Sequence, residues 1–277
     1  ALKKIKKGYI AFLNNDTVVE KNWLTSIIEY MEKNTRVGAC QPKIKDIKKK
    51  EYFEYAGAAG GFMDVYGFPF TRGRIFYNLE PDRGQYDNIV NLVWCSGTAM
   101  VTKKKVLDKT GYFDDIFFMY GEEADLCWRI HYAGFDQAFI PESIVYHHGS
   151  GTMRRYPNYR KTFFSHRNGI ILLLKNYSFS ELINYLPVRL LFDLLAFIYY
   201  LFNYLPNALA LIFAYFNLIL LLPKIFLRRL ETNKIKNLNP HKKKKYPLFP
   251  KSIVIEYFLF KKTKFSKLHY QLKGKND

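Results

Sequence analysis

The segment YIAFLNNDTVV, residues 9 to 19, indicates the fold of this chain. Its first five residues are apolar and run directly into the polar turn NNDT at residues 14 to 17. A buried strand of an α/β sheet has this composition, and ligands bind beyond the carboxyl ends of such strands. Asp16 therefore suits a hard divalent cation that keeps several waters and is bound chiefly through substrate phosphates. The alternative is an Asx turn that caps a helix beginning near Trp23.

A second segment, YGEEADLCWR at residues 120 to 129, places three carboxylates within four residues, directly after an aromatic run. Glu122, Glu123 and Asp125 repel one another, and apolar neighbours desolvate them. At least one pKa should therefore rise toward the range that a general base needs. The alternative is an ordinary helical N-terminus, where acids favour the positive end of the helix dipole.

A third segment, VYHHGSGT at residues 145 to 152, ends a β-branched run in His147 and His148, followed by glycines. A histidine at a strand end beside a Gly-rich loop can ligate a metal or bond a phosphate. Taken singly, each histidine is better explained as a surface residue of a loop.

Together with CSGTAM at residues 95 to 100, these segments resemble the family 2 glycosyltransferases of the GT-A fold, especially their rhamnosyltransferase-like branch. The order and spacing of the segments carry the resemblance, which extends from about Tyr9 to about Leu230. It implies an α/β fold, with a partial GT-A (Rossmann-like) domain at residues 1–158. It also implies a metal-dependent, inverting hexosyl or deoxyhexosyl transferase that uses a nucleotide-sugar donor and Mg²⁺ or Mn²⁺.

The resemblance assigns expected roles to matching positions. The family's metal motif DxD falls on residues 14 to 16, where Asn14 replaces an acid, so Asp16 and His147 are the expected metal ligands. The family's ED pair falls on Glu122 and Glu123, and Glu123 is the expected base for the acceptor hydroxyl. Because Glu is one methylene longer than Asp, Glu122 stays a second candidate. The positions expected to bind or support donor and acceptor are Asn14, Asn15, Ser96, Gly97, Thr98, Asp125, Arg129 and His148.

In the family, a nucleotide-binding half precedes the metal motif, whereas eight residues precede Tyr9 here. We therefore expect an N-terminally truncated fragment that is inactive alone, and whose parent extends a cell-surface polysaccharide or a lipid-linked glycan. The alternative is a catalytically inactive membrane partner in a glycan assembly complex.

The second half of the chain predicts membrane association. Residues 159–184 indicate an amphipathic connecting helix whose basic residues suit an anionic membrane surface or a lipid-linked diphosphate, or equally a helix packed on the core. From Leu194 to Pro223 there is no charged residue, and Pro206 interrupts the run. These features predict a membrane-associated helical hairpin over residues 185–230 with both ends at the cytoplasmic face of the cell membrane.

The C-terminal residues 231–277 are predicted to form a basic tail. From Lys224 to Asp277 there are sixteen Lys and Arg against three Asp and Glu, which is most of the chain's net charge of +19. The tail fits an anionic leaflet, with Ile253 to Phe260 as an interfacial anchor, or a solvated extension. No nucleic-acid partner is expected, because no nucleic-acid-binding signature is visible. The three cysteines favour reduced, buried thiols in a cytoplasmic environment.

Overall fold

A computed structural model describes residues 5–149, 158–237, 246–268 and 270 of the chain. The glycine-rich end of the VYHHGSGT segment and the lysine run at residues 242–245, which belongs to the predicted tail, lie outside the described residues. The predicted α/β class is confirmed: the first half combines strands with three helices, and two long apolar helices lie in the second half.

Ten strands form two sheets within the described residues. The strands are β1 Tyr9–Leu13, β2 Thr17–Val19, β3 Val37–Asp46, β4 Gly61–Met63, β5 Pro69–Thr71, β6 Arg74–Ile75, β7 Asn78–Leu79, β8 Val90–Asn91, β9 Ala99–Lys103 and β10 Asp136–His147. The larger sheet has the order β1-β9-β3-β10-β2, and β8 also pairs with β10. The strands β4 to β7 form a separate antiparallel sheet within residues 46–86, where weak periodicity predicts a long loop or small hairpins.

The pair β3 and β10 forms the centre of the larger sheet and runs parallel, whereas its other pairings are antiparallel. The first eight residues of β3 are buried, as expected for a strand covered on both faces. At the end of β10, His147 pairs with Thr17 of β2. This register brings the polar turn at residues 14 to 17 to the carboxyl end of the longest strand.

The apolar composition of residues 90–101 predicts one core strand, and this prediction is wrong. Only β8 and β9 are strands, because the backbone between them finds partners outside a regular ladder. Val93 N donates to Gly61 O at 3.0 Å, and Ser96 N donates to the Gln41 side chain at 2.7 Å. These buried backbone groups are satisfied without continuing the strand.

Seven α-helices complete the described part of the chain. They are α1 Trp23–Lys33, α2 Lys104–Thr110, α3 Glu122–Tyr132, α4 Asn158–Asn176, α5 Phe179–Asn203, α6 Leu205–Asn237 and α7 Ile253–Phe258. The predicted connecting helix over residues 159–184 is divided, because Ser178 and Glu181 form a capping box that starts α5. The break between α5 and α6 lies at Tyr204, which leaves Pro206 in the first turn of α6, where a proline is tolerated.

The helices α4, α5 and α6 form one layer against the first half of the chain. Arg189 and Asp193, which interrupt the apolar sequence of α5, are each 2% exposed and pair with each other at 3.2 Å. Asp193 also meets His166 of α4 at 2.9 Å and the hydroxyl of Tyr215 on α6 at 2.7 Å. The charged face of α5 therefore points into the protein, and its apolar face remains exposed.

Within the described part of the predicted basic tail, residues from Tyr246 to Ile253 pack into the core, so the expectation of a solvated or membrane-bound tail is wrong for that stretch, whereas Phe258 to Phe260 are exposed. Tyr246 stacks on Trp128 with ring centroids 4.4 Å apart, and Phe249 is 2% exposed. Ile253 N donates to the buried carboxylate of Asp64 at 2.9 Å. Apolar residues spaced among the lysines drive this packing, because they remove aromatic surface from water.

Candidate active site

Asp16 and His147 meet at the edge of the larger sheet, 131 residues apart in sequence. Asp16 Oδ1 lies 3.1 Å from His147 Nε2, and the backbone N–H of His148 donates to Asp16 O at 3.0 Å. Glu54 Oε2 lies 3.2 Å from His147 Nδ1, at ion-pair distance. The predicted metal ligands are therefore adjacent, and a second carboxylate approaches the other ring nitrogen.

The donor set at this edge fits a hard cation that takes its other ligands from elsewhere. Among the described residues, no group of three or more His, Cys, Asp and Glu has the arrangement of a complete metal site. Asp16 and His147 offer two ligand atoms, which suits Mg²⁺ or Mn²⁺ completed by water and substrate phosphates. Burial lowers the pKa of His147, but the carboxylates of Glu54 and Asp16 raise it further, so the net direction is upward. The edge thus carries an excess of negative charge.

The polar turn before Asp16 is held by the CSGT segment. Asn14 N donates to Thr98 O at 3.0 Å, and Thr17 Oγ1 donates to Asn14 O at 2.7 Å. Asn14 and Asn15 are exposed, whereas Ser96 and Thr98 are buried at 2% and 4% exposure. A Cβ added to Gly97 would meet nothing within 4 Å, so this glycine faces open space. Only Gly97 of the CSGT residues is thus placed to face a ligand directly.

The acid pair begins α3 after a strained turn. Tyr120 and Gly121 both adopt positive φ, at 65° and 96°, and Asn168 of α4 donates to the carbonyls of Met119 and Tyr120 at 2.6 Å. Non-glycine residues rarely adopt this conformation, and such outliers cluster at functional sites. The turn directs Glu122 and Glu123 into a partly enclosed space.

The environment of both Glu122 and Glu123 favours the protonated form of their carboxyl groups. The Oε2 atoms of Glu122 and Glu123 are inaccessible to water and make no hydrogen bond within the described residues. Burial, together with the charge of Glu122, raises the pKa of Glu123 to about 8, and burial raises the pKa of Glu122 as well. The two carboxyls thus compete for one proton, and the upward direction agrees with the expectation that at least one pKa in this segment is raised.

Asp125 and Arg129 form a buried ion pair behind Glu122 and Glu123. Asp125 is fully buried, with Arg129 Nε and Lys175 Nζ each 2.9 Å from its carboxylate. Burial would raise the pKa of Asp125, but Arg129 and Lys175 hold it below its usual value. Lys175 also meets Asp114 at 2.6 Å. The basic residue of α4 that was a candidate for lipid contact is therefore buried, and it fixes α3.

One segment, residues 54 to 57, connects the two carboxylate groups through α4. Glu54 lies against His147, and a Cβ added to Gly57 would lie 2.7 Å from Ser96 Cβ. Lys161 of α4 donates to the Tyr55 hydroxyl at 3.0 Å, and Asn168 of the same helix donates to the carbonyl of Tyr120. The segment thus contacts the cation ligands through Glu54, and α4 connects its Tyr55 to the turn before the acid pair.

The sequence patterns missed Glu54, Tyr55 and Gln41. Glu54 and Tyr55 lie in a stretch without a clear period, and Gln41 is one polar residue within the buried strand β3, so no local signal marked them. Only the predicted closeness of Asp16, His147 and the acid pair could have directed a search to the intervening segment.

Comparison with known proteins assigns the family. The sequence pattern described as "Glycosyl transferase family group 2" matches residues 9–226. The chain is 25% identical over 148 residues to "Rhamnosyltransferase WbbL" of Escherichia coli (strain K12), covering 53% of this chain and 55% of that protein. It is 33% identical over 158 residues to "N-acetylglucosaminyl-diphospho-decaprenol L-rhamnosyltransferase" of Mycobacterium tuberculosis, covering 54% and 50%.

The chain spans about half the length of these curated relatives. Among solved structures, "Crystal structure of GalNAc-T7 with UDP, GalNAc and Mn2+" aligns with a TM-score of 0.43 and 14% identity, covering 60% of this chain and 31% of that one. Since the family pattern spans most of the described strands and helices, including both carboxylate groups, the chain belongs to glycosyl transferase family group 2.

Proposed function

We propose that the protein containing this chain is an inverting, cation-dependent glycosyltransferase acting at the cytoplasmic face of the membrane. It would move a hexose or deoxyhexose from a nucleotide-diphosphate donor to a lipid-linked glycan or a cell-surface polysaccharide. The observation that carries the proposal is the contact of Asp16 with His147, whose second ring nitrogen faces Glu54. Helix α4 connects this edge to the turn before Glu122 and Glu123, because it contacts Tyr55 through Lys161 and that turn through Asn168.

The reaction is a single displacement. The acceptor hydroxyl oxygen forms a bond to the anomeric carbon while the bond from that carbon to the donor phosphate breaks, so the anomeric centre inverts. The electron pair leaves with the nucleoside diphosphate, and the hydroxyl proton passes to the carboxylate of Glu123. A base whose pKa lies near the working pH is suited to this transfer, which contributes roughly a hundred- to ten-thousandfold in rate.

The donor side depends on Asp16 and His147. A divalent cation held by these two residues, when bound, would stabilise the negative charge on the leaving diphosphate. Glu54 supports this arrangement, because a carboxylate beside the second ring nitrogen orients a ligating histidine. The exposed Asn14 and Asn15 and the open Gly97 complete the rim on which the donor would lie.

The apolar helices provide the proposed attachment to the membrane. By length and composition alone, both α5 and α6 could cross a bilayer. However, both contact the first half of the chain: Tyr185 near the start of α5 packs on Tyr66, and Lys224 and Arg228 near the end of α6 pair with Asp115. A helix held along one face in this way suits a position in the plane of the interface, with its exposed leucines and phenylalanines in the lipid.

The test is sugar transfer by the full-length gene product. We expect one of a panel of nucleotide sugars to be consumed in the presence of Mn²⁺ and a polyprenyl-diphosphate-linked acceptor. Product formation should disappear with Asp16→Asn and with Glu123→Gln, while the exposed substitution Lys105→Ala leaves it unchanged. Full activity in both site variants would reject the assignment of these residues.

A further inference from the structure

A pair of cations beside the proposed active site lacks a carboxylate partner. Arg74 of β6 is 8% exposed, and its guanidinium lies 4.2 Å from the centre of the Tyr55 ring. Lys161 of α4 donates to the Tyr55 hydroxyl at 3.0 Å. Within the described ranges, no Asp or Glu lies at ion-pair distance from either cation, and Glu54, which is in electrostatic range of Arg74, already lies against His147.

The hydrogen bonds of Arg74 are also incomplete. Its Nη1 donates to Phe76 O at 3.1 Å, while its Nε is buried without a partner among the described residues. A buried guanidinium with an unsatisfied N–H is costly unless a ligand completes it. A planar guanidinium beside a lysine ammonium matches the oxygens of a phosphate, which accept several charge-assisted hydrogen bonds at once.

The cluster lies between the Asp16–His147 edge and α4. Tyr55 directly follows Glu54, which contacts His147, and its hydroxyl accepts from Lys161 of α4. The same helix contacts the turn before the acid pair, where Asn168 donates to the carbonyl of Tyr120, and it contacts α5, where the ring of His166 lies 6.3 Å from that of Tyr200. Helix α4 therefore connects the cluster both to the turn before the proposed base and to the apolar helix α5.

The apolar surface next to the cluster is large and aromatic. Tyr77 and Phe202 are each 80% exposed, and exposed apolar side chains continue along both long helices. Aromatic residues of this kind are typical of the boundary between lipid and water. A lipid chain lying over this surface would bring its polar end to Tyr55.

We propose that Arg74, Lys161 and Tyr55 bind the phosphate or diphosphate of a lipid-linked acceptor. The lipid would run past Tyr77 toward the helices, and the acceptor hydroxyl would face Glu123. This assignment rests on the proposed transferase function. It gives the acceptor an anion site of its own, distinct from the cation edge that would hold the diphosphate of the donor.

The test measures two diphosphates against the same variants of the full-length protein in detergent. Farnesyl diphosphate represents the lipid-linked group, UDP with Mn²⁺ represents the donor, and farnesol reports the lipid tail alone. We expect Lys161→Ala and Arg74→Lys to weaken farnesyl diphosphate binding by about tenfold or more, the loss of a charge-assisted hydrogen bond. Binding of UDP and of farnesol should stay within about twofold of the wild type, as in the control Lys105→Ala.

Two outcomes would overturn the inference. One is an unchanged affinity for farnesyl diphosphate in Lys161→Ala, which alters a half-buried side chain and keeps the test decisive if Arg74→Lys does not fold. The other is an equal loss of UDP binding, which would assign the cluster to the donor. Sugar transfer is scored separately: selective diphosphate binding without any transfer by the wild type would reject the proposed function and leave the anion site standing.

Discussion

Replacing Glu123 with Gln should abolish sugar transfer and at the same time stabilise the fold at alkaline pH. The amide keeps the shape of the side chain and can still donate a hydrogen bond to Glu122. It cannot accept the hydroxyl proton, so we expect kcat to fall by roughly a hundred- to ten-thousandfold. The folded state should become more stable at alkaline pH, because the amide of Gln cannot ionise, whereas the buried carboxyl of Glu123 loses its proton there.

The magnitude follows from the pKa of Glu123, which burial and Glu122 raise from 4.5 to about 8. Below pH 4.5 the carboxyl is protonated in both the folded and the unfolded chain. As the pH rises from 4.5 to 8, only the unfolded chain releases the proton, so the folded state loses stability, and the loss is complete above pH 8. At about 1.4 kcal/mol per pH unit, the difference between the pKa of Glu123 in the folded chain and in the unfolded chain corresponds to about 5 kcal/mol. We expect about 2 kcal/mol, because the two acids share the effect.

The assay is thermal unfolding of wild type and Glu123→Gln in detergent at pH 5.5 and pH 9, beside initial rates of transfer. For a domain of this size, about 2 kcal/mol raises the midpoint by about 4–8 °C, and the gain should appear at pH 9 and be small at pH 5.5. The matched variant Glu122→Gln should keep sugar transfer. Because the charge of Glu122 then no longer raises the pKa of Glu123, the fall of kcat/KM on the acidic side of the pH profile should move to lower pH. Equal midpoints at pH 9, or normal transfer by Glu123→Gln, would refute this reasoning.

Four further perturbations test other parts of the structure. Asp16→Asn should raise the Mn²⁺ concentration for half-maximal transfer by about tenfold or more, measured by adding metal back to chelated enzyme. Lys175→Met leaves Asp125 buried with one partner fewer and should lower the free energy of unfolding by about 3–5 kcal/mol in denaturant titrations. Gly121→Ala forces a side chain into positive φ and should cost about 1–2 kcal/mol in the same titrations. Phe216→Glu, on the exposed face of α6, should reduce flotation with anionic vesicles.

For each of these four variants, one result would contradict the prediction. An unchanged metal requirement in Asp16→Asn would remove that residue from the cation site. Unfolding curves of Lys175→Met that match the wild type would contradict the buried ion pair, and wild-type stability of Gly121→Ala would contradict the strained turn. Undiminished flotation of Phe216→Glu, against Lys105→Glu as the exposed control, would reject the interfacial position of α6.

Periodic patterns predicted the regular elements well where one face of the element is buried. The spacing of Trp23, Ile27 and Met31 predicts a helix over Trp23–Lys33, and α1 has these bounds with all three residues buried. The expectation that Asp16 and His147 lie close together came from the family resemblance, although each residue by itself follows an apolar strand. The helix is predicted from about ten consecutive residues, whereas the pairing of Asp16 with His147 depends on the order of segments far apart in the chain.

Predictions that depend on distant partners could not be made. Nothing near Glu54 or Arg74 in sequence marks them, since their partners His147 and Tyr55 come from other parts of the fold. The basic tail shows a second reason for failure. Its net charge is a property of the whole segment, whereas single aromatic residues such as Tyr246 and Phe249 determine where it packs. The helical pattern likewise does not predict that Lys175 is buried, because its ion-pair partner Asp125 lies on another helix.

The most direct test of the central claim is anomalous X-ray diffraction from crystals of the full-length protein grown with Mn²⁺ and a nucleoside diphosphate. We predict one strong manganese peak within coordination distance of Asp16 Oδ1 and His147 Nε2, with the diphosphate on the side of the metal that faces the Glu122–Glu123 turn. A manganese peak away from both residues, or a diphosphate on the opposite side of the sheet from Glu123, would contradict the account.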